Sequence, residues 1–187
     1  MKINRWILML VLSLLLIGCA PTDTTKVDDE DKEEIVADES EVIEQINDGA
    51  LAENFEFMDY EGNTIKLEDL RGEKVYLKVW ASWCPICNEG LPELEELFAK
   101  EKDFIVYSVV TPNAGGEKSI QDFKAWFSEE DYPNIVVLFD ENAKFTRKLG
   151  ALSVPTSVYI GSDGVLIKSA PGHTSNEDIE TFIETFE

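Results

Sequence analysis

The sequence predicts an α/β fold in which helices flank both faces of a mixed central sheet. Two apolar runs, at residues 75–80 and 104–110, alternate with helical patterns in the way that strands and crossover helices do. A predicted hairpin precedes the first of these strands and another lies near the end of the chain, so part of the sheet is expected to be antiparallel. The 187 residues, 44% of them apolar, are enough for one domain with a sizeable core plus appendages.

Alternation, spacing and turn residues justify the elements one by one. Residues 55–68 alternate between apolar and polar side chains around the turn Glu61-Gly62-Asn63, which predicts an N-terminal hairpin. A helix is predicted over 85–100, because apolar residues recur there at spacings of three and four. The other elements expected, in chain order, are a helix at 117–129, a strand at 135–139, a helix at 143–149, strands at 156–160 and 165–168, and a closing helix at 176–186.

The formal net charge is −22, from 38 acidic and 16 basic residues. So few basic groups do not suit a surface that neutralises nucleic-acid phosphates, and the sign of the charge opposes direct adsorption to an anionic membrane. A charge of this kind is typical of a well-solvated surface. Three cysteines are too few for a disulfide scaffold, so the position of each one carries the information.

Residues 1–18 predict a targeting segment rather than part of the fold. Lys2 and Arg5 give a positive start, and the apolar run at 6–17 is short for a membrane span but typical of a secretory signal. The run ends in Leu16-Ile17-Gly18-Cys19, which resembles the bacterial lipobox. That resemblance implies cleavage before Cys19 and diacylglycerol on its sulfur, and two acyl chains suffice for stable anchoring. An ordinary signal peptide and a retained membrane helix are the alternatives.

Residues 19–50 are expected to form an acidic tether between the lipid-modified cysteine and a folded domain over 51–187. Twelve acids against two lysines between positions 20 and 49 make such a segment repel itself and stay extended. The apolar residues near its end leave a short amphipathic helix over 41–48 as an open alternative.

Cys84 and Cys87 stand where the strand at 75–80 gives way to the helix at 85–100. The first turn of a helix has unpaired N–H groups and partial positive charge, which favours a thiolate there. Pro85 suits the first helical position, because the N–H that it lacks would have had no partner. Such a pair exchanges disulfides: the Cys84 thiolate attacks a substrate disulfide, and Cys87 resolves the mixed disulfide.

Other roles for this cysteine pair fit less well. A structural disulfide across three residues closes almost no loop and would stabilise little. A zinc site lacks a second pair of ligands in a chain with one histidine, and covalent haem needs a histidine where Asn88 stands. We therefore expect no metal, and no cofactor beyond a redox-active disulfide between Cys84 and Cys87.

The run Trp80-Ala81-Ser82-Trp83-Cys84-Pro85-Ile86-Cys87 resembles the active site of the thioredoxin superfamily. Pro92, five residues after the second cysteine, matches the proline that kinks the active-site helix in that family, and Val154-Pro155-Thr156 matches its cis-proline loop. The lead-in at 55–72 is similar to the membrane-tethered, extracytoplasmic TlpA/ResA-like branch, which also carries a helix–strand insertion like that at 117–139. The resemblance covers roughly residues 50–187.

The resemblance implies a thioredoxin-like fold and a thiol–disulfide oxidoreductase. Cys84 and Cys87 are then the catalytic residues, with Trp83 and Pro85 supporting them. The loop with Pro155 is expected to face the cysteines and to pair its backbone with the substrate chain in strand fashion. Two neighbours flank that substrate-binding surface, Val154 and Thr156. A trans proline at the start of a strand is the alternative.

Lys78 and Gly90 depart from the family pattern. Lys78 stands where thioredoxins proper carry a buried carboxylate that is thought to assist proton transfer. Burial lowers the pKa of a lysine, so Lys78 is expected to stabilise a cysteine thiolate or to relay a proton, unless its chain reaches the surface instead. Gly90 stands where many tethered relatives have a glutamate, and Glu89 is expected to point away from the cysteines. His173, the single histidine, is expected to be a turn or capping residue, with a catalytic base as the alternative.

The expected function is that of a lipid-anchored, extracytoplasmic thiol–disulfide oxidoreductase that reduces an oxidised envelope partner. Electrons would come from a membrane thiol donor and pass to a client such as an apocytochrome or a methionine sulfoxide reductase, the latter an antioxidant role. The run at 87–94 looks like domains that serve methionine sulfoxide reductases. The alternatives are an oxidase that installs disulfides in secreted proteins, a thiol-based metal carrier, and a peroxiredoxin, in which a threonine would be expected where Ala81 stands.

Overall fold

Seven strands form one mixed sheet in residues 44–187, the part of the chain that a computed structural model describes. The signal segment 1–18, Cys19 and the tether as far as residue 43 lie outside these residues. The strands are β1 Glu56–Met58, β2 Thr64–Lys66, β3 Val75–Trp80, β4 Ile105–Val110, β5 Val137–Phe139, β6 Thr156–Ile160 and β7 Leu166–Pro171. In order across the sheet they run β2-β1-β5-β4-β3-β6-β7.

Helices cover both faces of the sheet, as the sequence predicts. Successive residues of β3 alternate between two cores, because neighbouring side chains of a strand point to opposite faces. The helices are α1 Pro85–Glu89, α2 Leu91–Ala99, α3 Ile120–Phe127, α4 Lys144–Lys148 and α5 Asn176–Ile183, with short 3-10 helices at Leu67–Leu70 and Glu141–Ala143. Tyr76 and Trp80 lie in one core with α1, α2, α3 and α5, and Leu77 and Val79 lie in the other with the hairpin and α4.

The sheet register brings two distant loops together. β3 pairs with β4 in parallel, with Trp80 opposite Val110, and with β6 in antiparallel fashion, with Val79 opposite Thr156. The end of β3 therefore lies beside the beginning of β6. The residues after Trp80 and those before Thr156 consequently meet at one edge of the fold.

Several boundaries differ from the sequence predictions. The helix expected over 85–100 is divided at Gly90, because Pro92 has no N–H for the carbonyl four residues earlier and its ring would clash there. The helix expected from 117 begins at Ile120, since the hydroxyl of Ser119 accepts the N–H of Asp122 and caps it there. The last strand continues to Pro171, because β6 pairs with it along its whole length.

The segment just before the hairpin lies against the domain. The carboxylate of Asp163 accepts hydrogen bonds from the backbone N–H groups of Ile46 at 2.8 Å and Asn47 at 2.6 Å. Leu51 forms an isolated antiparallel bridge with Val165. Residues 44–48 are not helical, so in this part of the segment the helical alternative is not found.

Within residues 44–187, no helix combines the length and the apolar character needed to cross a bilayer.

Candidate active site

Cys84 and Cys87 meet at the start of α1 and are joined by a disulfide, with their Cα atoms 5.2 Å apart. Cys84 is the N-cap residue with extended backbone angles, and the N–H of Cys87 donates to its Sγ at 3.2 Å. An N–H directed at this sulfur favours the anionic form once the disulfide is reduced. Both residues are buried, with exposures of 4% and 5%.

Exposed apolar side chains surround the buried disulfide. Trp83 is 50% exposed and Ile86 is also exposed, one on each side of Cys84 in the sequence. Pro85 occupies the first position of α1, as predicted. A buried sulfur ringed by exposed apolar groups suits a site that a partner chain covers, because docking removes that apolar surface from water.

The loop before β6 lies across from the cysteines, as the resemblance implies. The Val154–Pro155 peptide bond is cis. The carbonyl oxygen of Val154 lies 3.8 Å from Sγ of Cys84. Thr156 is buried and its hydroxyl donates to the carbonyl of Ser153 at 2.6 Å, so its side chain is directed into the protein. Val154 is therefore the residue of this loop whose backbone lies directly beside the disulfide.

Lys78 lies in β3 and does not reach the surface, since it is only 7% exposed. Its Nζ lies 3.5 Å from the hydroxyl of Ser157, which also contacts the hydroxyl of Tyr76 at 2.9 Å. Burial lowers the pKa of Lys78 to about 8, although the negative charge of Glu93 opposes the shift. Of the two alternatives that the sequence leaves open for Lys78, the structure shows the buried one and not the side chain that reaches the surface.

A small cavity of about 20 Å³ connects Lys78 to the second cysteine. That volume holds roughly one water molecule. Polar and ionisable groups line it from several elements: Tyr76, Lys78, Cys87, Glu93, His173, Thr174 and Asn176.

His173 contacts Glu93. The sequence prediction of a turn or capping residue does not include this contact. Its Nε2 lies 3.0 Å from Oε2 of Glu93. Gly90 makes room for the ring, because a Cβ at that position would lie 3.1 Å from Nδ1 of the imidazole. Glu89 is exposed, in agreement with the expectation that it points away.

Glu117 supports the loop between β3 and α1, a role that sequence reasoning missed. Its carboxylate accepts from the backbone N–H and the hydroxyl of Ser82, both at 2.6 Å, and from the N–H of Lys118 at 2.7 Å. Asn88 donates its amide to the carbonyl of Ser82 at 3.0 Å, which ties α1 to the same loop. Sequence spacing gives no signal for the first contact, because 35 positions separate the two residues.

A wider groove of about 520 Å³ opens on the side of the disulfide where Trp83 lies. Its lining combines apolar and hydroxyl groups with one arginine and one glutamate: among others Trp83, Glu117, Arg147, Leu152 and Val154. Val154 of the cis-proline loop therefore borders both the disulfide and this groove.

Comparisons with known proteins agree with this geometry. The Redoxin family matches residues 47–183. An uncharacterised protein of Haemophilus influenzae is 39% identical over 127 residues, covering 67% of this chain and 81% of that protein. The thiol-disulfide oxidoreductase ResA of Bacillus cereus is 28% identical over 184 residues, 98% of each chain. The crystal structure of the pneumococcal exposed lipoprotein thioredoxin Etrx1 of Streptococcus pneumoniae aligns with a TM-score of 0.68 and 39% identity, over 72% of this chain and all of that one.

Proposed function

Because the chain belongs to the Redoxin family, in the TlpA/ResA-like branch of the thioredoxin superfamily, and is a thiol–disulfide oxidoreductase of thioredoxin-like type, we propose that it reduces a disulfide in an oxidised protein partner outside the cytoplasm. The observation that carries the proposal is the Cys84–Cys87 pair at the start of α1, with the carbonyl of Val154 beside the first sulfur. Cys84 is the nucleophile and Cys87 the resolving residue.

The reaction balances over two exchanges. The Cys84 thiolate attacks one sulfur of the client disulfide, and the other client sulfur leaves as a thiolate that takes up a proton. Cys87 then loses its proton and attacks Cys84, which releases the second client sulfur. The two electrons of the dithiol pass to the client, and the protein is left with the Cys84–Cys87 disulfide. A membrane thiol donor returns the pair to the dithiol by the reverse exchanges.

The side chains around the pair have distinct roles in this proposal. Trp83 and the loop of Val154, Pro155 and Thr156 bind the client, the loop through its backbone and the tryptophan through its exposed ring. Pro85 starts the helix that presents the pair, and Lys78, which lines the same cavity as Cys87, stabilises the thiolate form by its positive charge.

The same proposal places the chain at the outer face of the cell membrane. Residues 1–18 are its signal peptide, Cys19 carries the lipid, and 19–50 form the tether that gives the domain at 51–187 its reach. The lipobox-like sequence supports this, and so does the alignment with ResA over 98% of the chain. The name of the pneumococcal structure, an exposed lipoprotein, adds support.

Clients of this kind are proteins with a disulfide to be reduced, such as a methionine sulfoxide reductase or an apocytochrome. The run at 87–94 favours the former.

We expect Cys87→Ser to accumulate a mixed disulfide with the client in cells and Cys84→Ser to accumulate none, because only the first cysteine attacks. Gel electrophoresis without reductant measures both. Cys19→Ala is the matched control: it is expected to lose acylation and membrane attachment while keeping the activity of the pair.

The direction of transfer is tested by the reduction potential of the Cys84–Cys87 pair. Equilibration against thiol buffers, followed by the fluorescence of Trp83, measures it. Thioredoxin-like reductants lie near about −270 mV and strong disulfide donors near about −120 mV. A value near the low end is expected. A value near the high end would contradict the proposed reduction and make the protein a disulfide-forming oxidase.

A further inference from the structure

We propose that Glu93 and His173 form a proton-exchange pair that serves Cys87 through a water molecule in the cavity above Lys78. The inference rests on the proposed function, because it concerns the step in which Cys87 loses its proton to resolve the mixed disulfide. It adds two positioning residues that the motif around the cysteines does not contain.

The geometry of the pair suits proton exchange. Glu93 is held from the entry of α5, where the N–H of Asn176 donates to its Oε1 at 2.8 Å and the side-chain amide donates to its backbone carbonyl at 2.6 Å. Its other oxygen, Oε2, lies 3.0 Å from Nε2 of His173. A carboxylate in this position keeps the proton of a neutral imidazole on Nε2, which leaves Nδ1 as a proton acceptor.

Nδ1 of His173 faces Gly90, at the end of the helix that carries Cys87. The position of a Cβ on Gly90 would be 3.1 Å from Nδ1 of His173 and 3.5 Å from the carbonyl oxygen of Cys87. The missing side chain at Gly90 therefore leaves a gap between the imidazole and the turn that carries the second cysteine. A larger residue would fill that gap.

The small cavity connects His173 and Glu93 to Cys87, since all three residues line it. Its volume of about 20 Å³ takes roughly one water molecule, and the polar atoms around it give that molecule the two to four partners that a buried water needs. The side chains of Glu93 and His173 are 35% and 41% exposed, so the pair also contacts bulk solvent. Protons can then move between the buried thiol and the solvent without opening the fold.

All the ionisable groups that line the cavity contribute to its charge balance. Tyr76 and Lys78 face it from β3, Cys87 from α1, Glu93 from α2 and His173 from the loop before α5. Burial raises the pKa of Tyr76, which keeps its hydroxyl neutral. Lys78 and His173 are then the basic side chains among these groups, and Glu93 is the acidic one.

The proposed step balances as follows. In the mixed disulfide, the thiol of Cys87 gives its proton to the cavity water, and that water gives one of its own to Nδ1 of His173. The Cys87 thiolate attacks Sγ of Cys84, a bond forms between the two sulfurs, and the bond from Cys84 to the client breaks. The electron pair leaves with the client sulfur, which takes a proton from solvent, and His173 returns its proton to solvent.

The experiment follows the two exchanges separately. Reduced full-length protein in detergent is mixed with excess oxidised glutathione, and tryptophan fluorescence is recorded from pH 5 to pH 9. The first phase depends on the glutathione concentration and reports attack by Cys84; the second does not and reports resolution by Cys87. We expect His173→Gln and Glu93→Gln to slow the second phase about 100-fold at pH 7, the lower end of the range for acid–base catalysis. Both are expected to flatten its pH profile and to leave the first phase unchanged.

Glu180→Gln is the matched control, because it removes the 2.9 Å ion pair between Lys100 and Glu180, which joins the end of α2 to α5 away from the cavity. Gly90→Ala is a second variant that displaces the imidazole without removing any ionisable group, and it is expected to slow the second phase less than His173→Gln. The proposal is overturned if His173→Gln and Glu93→Gln behave like Glu180→Gln at every pH. It is also overturned if they slow the second phase by the same factor at all pH values. Failure of the wild-type protein to react with any disulfide would instead overturn the proposed function, and this proposal with it.

Discussion

Lys78 is a basic residue in a buried environment that disfavours its charge. An ammonium group that is 7% exposed loses most of its hydration, and burial lowers its pKa from 10.5 to about 8. Below pH 8 the side chain is protonated in both the folded and the unfolded chain, so the folded state carries the full desolvation cost. Between about pH 8 and 10.5 the unfolded chain binds more protons, and the free energy of unfolding therefore rises with pH through this window.

We expect Lys78→Met to stabilise the protein at pH 7, by up to about 3 kcal/mol, since one pKa unit corresponds to about 1.4 kcal/mol. The gain should shrink as the pH rises from 8 towards 10.5, where the wild-type lysine becomes neutral in the folded state first. Urea unfolding of both proteins across this range measures it. The exposed Lys144, replaced in the same way, is the control. A gain that stays constant with pH would contradict the assignment of the lowered pKa to Lys78.

At the residue scale, the sequence predicts what lies close along the chain. Cys84, Cys87 and Pro85 follow from one motif, and the burial of Lys78 follows from its place in an apolar strand. The contacts of Glu117 and of Glu93 are not predictable in this way, because their partners lie tens of positions away and neither has a local pattern. His173 is the instructive case: its turn is visible in the sequence, but its contact with Glu93 depends on how α2 packs against the entry of α5.

At the scale of elements, the loop between β3 and α1 is held by a contact from outside both. Every group that faces the carboxylate of Glu117 is a donor: the N–H and hydroxyl of Ser82 and the N–H of Lys118. A glutamine in its place would direct an amide N–H₂ group at one of these donors. The loop that carries Trp83 would then lose a hydrogen bond and gain a repulsive contact.

Glu117→Gln is therefore expected to lower the free energy of unfolding by about 2 kcal/mol, within the range for a hydrogen bond to a charged group. It should also change the fluorescence of Trp83, because the loop is less firmly positioned. Urea unfolding followed by tryptophan emission measures both. The exposed Glu129, replaced by glutamine, is the control. Equal unfolding midpoints for the two variants would mean that the loop is positioned by the sheet alone.

Element types are predicted better than element ends. The strand at 75–80 and the strand at 156–160 have the predicted bounds, since each is a run of buried residues between turns. The sequence predicts one kinked helix over 85–100, and the structure divides it because Pro92 cannot donate the hydrogen bond that would continue it. Ends depend on single capping contacts such as that of Ser119, and a sequence offers several candidates for each.

At the scale of the whole molecule, the order of the strands is the feature that local patterns do not determine. Alternation along β3 predicts two cores, but which strands lie beside it follows only from the resemblance to a known fold. The contact of residues 46 and 47 with Asp163 cannot be predicted from composition either. By its charge this segment belongs to the predicted tether, but its backbone N–H groups donate to the buried carboxylate of Asp163, which follows β6.

Asp163 makes that docking sensitive to acid. Burial alone would raise its pKa, but hydrogen bonds from Asn47, Val165 and Ile46 outweigh it and hold the pKa below its usual value. For a carboxyl group with a lowered folded pKa, the stabilisation is complete above its unfolded pKa, about 3.9, and is lost as the pH falls through the folded value.

We expect Asp163→Asn to unfold at lower urea than the wild type at pH 7, with a difference that stays constant down to about pH 4 and shrinks below it. Asp48→Asn, in the exposed part of the same segment, should show no such difference. A difference between Asp163→Asn and wild type that persists unchanged at pH 2 would show that the carboxylate charge does not hold the segment in place.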